Sequence, residues 1–92
     1  MNDSVILPLL PKVVTMISTI SGKPVPNQYM IYEKDRVTFQ SYLTTIAYVD
    51  SFGILYVSAA YQRSKATTKY FNEFKRLRAN YIKEIVFLEG TL

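Results

Sequence analysis

Apolar and polar positions change period twice along this chain. From Leu9 to Ser21, Val13, Val14, Ile17 and Ile20 recur at helical spacing. Pro11 suits a first helical turn and Gly22 a C-terminal stop, so this stretch predicts a short N-terminal helix. Its β-branched residues leave a strand open as the alternative. Pro24 and Pro26 then force an extended linker. The next runs are β-type: "QYMIYE" and "VTFQSY" flank the polar turn "KDR", and "TTIAYV" and "ILYVSA" flank "DSFG". In the second turn Asp50 can cap and Gly53 can take a positive φ. Connections this short predict a four-stranded antiparallel meander.

After Ser64, placed as an N-cap, the period returns to that of a helix. Tyr70, Phe74, Leu77, Tyr81, Ile85 and Leu88 form one stripe at 100° steps. Lys65, Lys69, Arg76 and Lys83 gather opposite with Asn72 and Asn80, while Lys75 and Arg78 flank the stripe. The helix either continues past Ile82 or breaks near Asn80, releasing "IVFL" as a strand; periodicity does not decide. The expected architecture is α+β: the meander, this C-terminal helix on one face, and the N-terminal helix near the other. The expected core includes Ile46, Val49, Leu55, Val57, Tyr70, Phe74 and Leu77. Residues 1–26, 27–62 and 63–92 then read as N-terminal helix and linker, sheet, and helix with tail of a single domain.

"QYMIY" is apolar on both faces, with Tyr29 and Ile31 on one and Met30 and Tyr32 on the other. A half-exposed strand alternates instead. The N-terminal segment is the expected cover for the second face, which favours a monomer; a homodimer is the alternative.

Composition removes more chemistry than it adds. At 92 residues the chain has one small core. With no Cys and no His, the commonest nucleophile-base pairs and metal ligands are missing, so neither an enzyme nor a metal or cofactor site is expected. Ser64 and Lys65 are adjacent and do not face each other on a helix, and no Gly-rich phosphate loop is present. Val5 to Ile20 is apolar, but Asn2, Asp3 and Ser4 precede it without a cation, and Pro8, Pro11 and Lys12 interrupt it. It therefore fails both as a signal peptide and as a membrane span, and a soluble intracellular protein with no membrane partner is expected.

Charge is concentrated. Of the eleven Lys and Arg residues, six lie between residues 63 and 78 against the single acid Glu73. An ordinary surface helix mixes signs to gain i,i+4 pairs. Arg63, Lys65, Lys69, Asn72, Lys75, Arg76, Arg78 and Lys83 are therefore the candidate anion- or partner-binding residues, facing an acidic protein or nucleic acid. The eight tyrosines pack as amphipathic rings or, if displayed, serve stacking or protein contact.

Two segments carry a resemblance. "FQSYLTTIA" and, some twenty residues on, "YQRSKATTKYFNEF" resemble an uncharacterised domain in small proteins of phages and mobile elements of Gram-positive bacteria. Its members show an F-Q-S-Y-x-T-x-I-A strand and a W-D-Y-S-x-T-T-x-K-Y-x-x-x-F-L helix start. Phe39, Gln40, Ser41, Tyr42, Thr44, Ile46 and Ala47 match the first, and Ser64, Thr67, Lys69, Tyr70 and Phe74 the second. Tyr61, Arg63, Ala66 and Lys75 depart from it, replacing Trp, Tyr, Thr and Leu. The resemblance covers residues 37–75 and implies an α+β fold and a phage-type accessory protein in the host cell cytoplasm. Such proteins bind and inhibit host or defence proteins, or handle nucleic acid.

Overall fold

Residues expected to form a helix instead open a sheet. In the computed structural model, which describes residues 11–92, Lys12–Ile17 is strand β1, paired antiparallel with β2, Pro24–Tyr32. The expected helix started at Leu9; residues 9 and 10 lie outside the described residues. Val13, Val14, Thr15 and Ile17 prefer a pleated surface, and pairing with β2 satisfies their backbone groups. Pro24 and Pro26, read as a linker, belong to β2. The tight return before it depends on Ser18, whose hydroxyl accepts from Ile20 and Ser21, and on Gly22 at φ 73°.

The meander continues as expected through β3 (Arg36–Ser41), β4 (Thr44–Asp50) and β5 (Ile54–Val57), all antiparallel. At the β4–β5 turn Asp50 Oδ1 accepts from the amides of Phe52 and Ile54, and Gly53 sits at φ 87°. A 3-10 turn (Ala59–Gln62) leads to helix α1 (Lys65–Leu77), which Ser64 caps by accepting from Thr67 N at 3.0 Å. The chain then leaves the helix through a second 3-10 turn (Ala79–Tyr81). It closes as β6 (Glu84–Phe87), parallel to β5, at the edge of a six-stranded sheet ordered β1 to β6. Four strands and an N-terminal helix are thus corrected, among the described residues, to six strands and one α-helix. Of the two endings open after Asn80, the strand is the one formed.

Direct cross-strand partners share a face. The row Val14–Met30–Phe39–Ala47–Val57–Phe87 and the row Lys12–Tyr32–Val37–Val49–Leu55–Ile85 lie under α1. Helix residues Thr67, Tyr70, Phe71 and Phe74 are buried against this side, with Phe74 stacked on Phe39 at 5.8 Å. Ile46, Val49, Leu55, Val57, Tyr70 and Phe74 are core residues as expected. Leu77 is not: it is 47% exposed, over a cleft of about 590 Å³ between the last helical turn and β1. Tyr81, Ile85 and Leu88 leave the helical stripe because α1 ends at Leu77. Among the described residues no helix is long and apolar enough to cross a membrane.

Candidate binding surfaces

The basic segment folds into two separate sets of cations. Lys65, Lys69, Asn72 and Arg76 are all exposed on α1, at spacings of four, three and four, and make one row on its outer face. Arg76 does not stand free in that row. Its Nε donates to Glu73 Oε1 at 2.9 Å, and this bond, opposed by some burial and helped by the charge itself, holds the Glu73 carboxyl below its usual range. Lys75 lies back over the Phe71 ring at 5.0 Å, its stem covering the core. Arg63 precedes the helix and donates to Ser41 O at 3.4 Å.

Arg78 and Lys83, expected along the same helix, go elsewhere. Arg78 is the residue after α1, and Lys83 follows the 3-10 turn, where its amide donates to Gly53 O at 2.7 Å. Both line a cleft of about 370 Å³ at the end of the sheet where the β2–β3 and β4–β5 turns lie side by side. The sequence missed this site because its cations come from two distant segments, the β2–β3 turn and the stretch after α1, that only the fold brings together.

Two hydroxyls of the motif segments, Ser41 and Thr67, are interior. Ser41 and Thr67, both fully buried, share a hydrogen bond at 2.9 Å, and Ser64 Oγ donates to Thr67 Oγ1 at 2.9 Å. This network ties β3 to the first turn of α1, while Phe39 and Phe74 join the same elements one layer further in. Gln28, 1% exposed and aligned with Ser41 on the neighbouring strand, has no partner for its Oε1 among the described residues. The motifs therefore hold the fold together. Tyr42, 46% exposed, is displayed: it occupies the β3–β4 turn at φ 57°, next to Leu43, which is 96% exposed. A non-glycine residue in the left-handed region costs about 1 kcal/mol or more. Gln40 Nε2, donating to Tyr42 O at 2.7 Å, and the Tyr42 amide, donating to Asn27 O, hold it there.

The remaining tyrosines divide by face. Tyr61 packs between Phe71 (5.3 Å) and Phe87 (5.5 Å). Tyr29, Tyr48 and Tyr56 lie on the side of the sheet away from α1, Tyr29 in a row with Thr15 and Gln40, and Tyr48 and Tyr56 in a row with Ile31, Thr38 and Val86. There Tyr48 meets Tyr56 at 5.1 Å and carries the Arg36 guanidinium at 4.2 Å. The hydrogen bond that Arg36 donates to the Asp35 carboxylate, against slight desolvation, raises the Arg36 pKa above its ordinary value. Arg36 pairs with Asp50 in register and Glu84 with Ile54, so acids balance the cation on this face. Tyr29 and Ile31 remain half-buried on it, and the described part of the N-terminal segment lies at the sheet edge as β1 and does not cover it.

Comparison with protein-family models, curated proteins and solved structures finds no match.

Proposed function

We propose that this is a non-enzymatic, phage-type accessory protein that acts in the host cytoplasm by binding, and so inhibiting, an acidic host or defence protein. One observation carries the choice of a protein target. The stackable tyrosines and the helix cations lie on opposite sides of a two-layer molecule. Single-stranded nucleic acid needs aromatic platforms and cations interleaved in one groove. Here Tyr29, Tyr48 and Tyr56 share their face with Asp50 and Glu84 as well as Arg36, whereas the aromatics of α1 itself, Tyr70, Phe71 and Phe74, are buried away from Lys65, Lys69 and Arg76.

Protein contact suits what remains. The exposed Leu43 and Tyr42 stand at the end of the sheet where Arg63 and the start of α1 also lie. An apolar tip beside a short basic row is the composition of an interface with an acidic partner. The phage-type origin rests on the two motifs. The absence of catalysis rests on the lack of His and Cys and on Ser41 and Thr67 being committed to the interior.

The test is capture from nuclease-treated host lysate, with wild type and with a Lys65→Gln, Lys69→Gln, Arg76→Gln variant shown by circular dichroism to keep the wild-type fold. A stoichiometric protein retained by wild type after nuclease and lost by the variant is the expected result. Partners that vanish with nuclease would instead make nucleic acid the target.

A further inference from the structure

Arg78 is the least satisfied cation in the described structure. Its guanidinium lies over the Tyr81 ring at 4.2 Å and within 5.8 Å of the Tyr32 ring, while its Nε is buried and donates to no acceptor among the described residues. A buried charged donor without an acceptor is costly, and a planar fork held by aromatic rings is preorganised to grip an oxyanion. Arg78 lines the cleft of about 370 Å³ at the turn end of the sheet, a volume at the small end of ligand sites.

The rest of the cleft sets the charge of its occupant. Lys34, Arg36, Arg78 and Lys83 contribute four positive charges and Glu33, Asp35 and Asp50 three negative ones, leaving one in excess. Arg36 is engaged by Asp35 at 3.4 Å, and the Asp50 carboxylate by two turn amides. A phosphodiester chain or a polyphosphate would meet those acids, whereas a single carboxylate neutralises the excess. Lys83 is held in place by its backbone bond to Gly53 and by its stem, which approaches Gly53 so closely that a Cβ there would lie 3.0 Å from Lys83 Cγ. At the rim, Phe52 is 78% exposed and Tyr81 59%, so the carrier of the anion would find apolar surface around it.

We propose that this cleft receives the carboxylate of one Asp or Glu side chain of the protein partner, gripped by Arg78 and flanked by Lys83. The inference rests on the protein-binding reading above and adds an anchor to it. Arg and Tyr dominate the energetics of interfaces when they line a desolvated pocket, and a bidentate Arg–carboxylate pair is among the stronger polar contacts.

The Nε–Hε resonance of Arg78 reports on the site without any partner. Wild-type protein is titrated with N-acetyl-glutamate N-methylamide, with its neutral glutamine counterpart, and with adenosine monophosphate. Expected is a saturable shift of the Arg78 Nε–Hε signal and of the Tyr81 and Lys83 amides with the glutamate probe only. The shifts should weaken several-fold in Lys83→Gln and be unaffected by Lys65→Gln. No saturable shift, or equal shifts with the glutamine probe, would overturn the site. A stronger response to the nucleotide would overturn the choice of a carboxylate. Because no partner enters this measurement, it can fail while lysate capture still yields a protein, or succeed where capture does not.

Discussion

Thr67 is the residue through which the matched motifs act on the fold, and replacing it by Val tests that role with little change of shape. Its hydroxyl bridges Ser41 and Ser64 at 2.9 Å on each side. Ser64 is exposed and turns to water when the bridge goes, so its loss is small. Ser41 is fully buried, and leaving a buried hydroxyl without its partner costs about 1–3 kcal/mol. The added methyl group returns at most about 0.8 kcal/mol. The net loss is therefore between about 0.2 and 3 kcal/mol, centred near 1.5, which corresponds to a fall in Tm of roughly 6–12 °C for a domain this size. Thermal and urea unfolding followed by circular dichroism measure it. Thr67→Ser, which keeps the hydroxyl, should lose less, and Ser41→Ala combined with Thr67→Val should cost clearly less than the sum of the two. Wild-type stability in Thr67→Val, or strict additivity in the pair, would refute the network.

Three further perturbations follow from the packing. Phe74→Ala removes a fully buried ring stacked on Phe39 and should cost about 3–5 kcal/mol in urea unfolding. Gly53→Ala forces a Cβ into φ 87° and to within 3.0 Å of Tyr81 O and Lys83 Cγ, so a loss of more than about 1 kcal/mol is expected from the same assay. Glu73→Gln bears on acid stability. The Arg76 bond depresses the folded carboxyl's pKa, so its contribution is present above the unfolded value near 4.5 and lost as pH falls through the lower folded value. Scans of Tm against pH should show wild type converging on the variant toward acid, and parallel curves would contradict the pair.

The sheet was legible where turn chemistry and alternation agreed. Asp50 and Gly53 marked one hairpin, and Ser64 marked the start of α1, because each solves a backbone problem local to the sequence. The N-terminal strand was not, since Val13, Val14 and Ile17 satisfy helical spacing as well as β-propensity, and the deciding factor is the open edge of β2. Phe71, 1% exposed, was missed beside Tyr70 and Phe74 because the inner face of α1 is wider than a single 100° stripe. The same stripe drawn past Leu77 claimed Tyr81, Ile85 and Leu88, although the chain must turn there to bring Glu84 beside Ile54. For the binding surface, the charge run was visible but its division was not. The place where the helix ends sends Arg78 and Lys83 to one site and leaves Lys65, Lys69 and Arg76 at another.

That division gives the central claim its most direct measurement. The outer face of α1 offers three cations in a row, one already bonded to Glu73, so it can neutralise at most three phosphates. Titration of wild type against duplex DNA, single-stranded DNA and RNA across salt concentrations should show binding no tighter than about 100 µM at physiological salt. The log–log salt slope should be no steeper than about 2.7. Micromolar or tighter binding to any of these, with a slope of about 5 or more that falls in the charge-neutralised variant, would contradict a protein target and make nucleic acid the ligand of the basic segment.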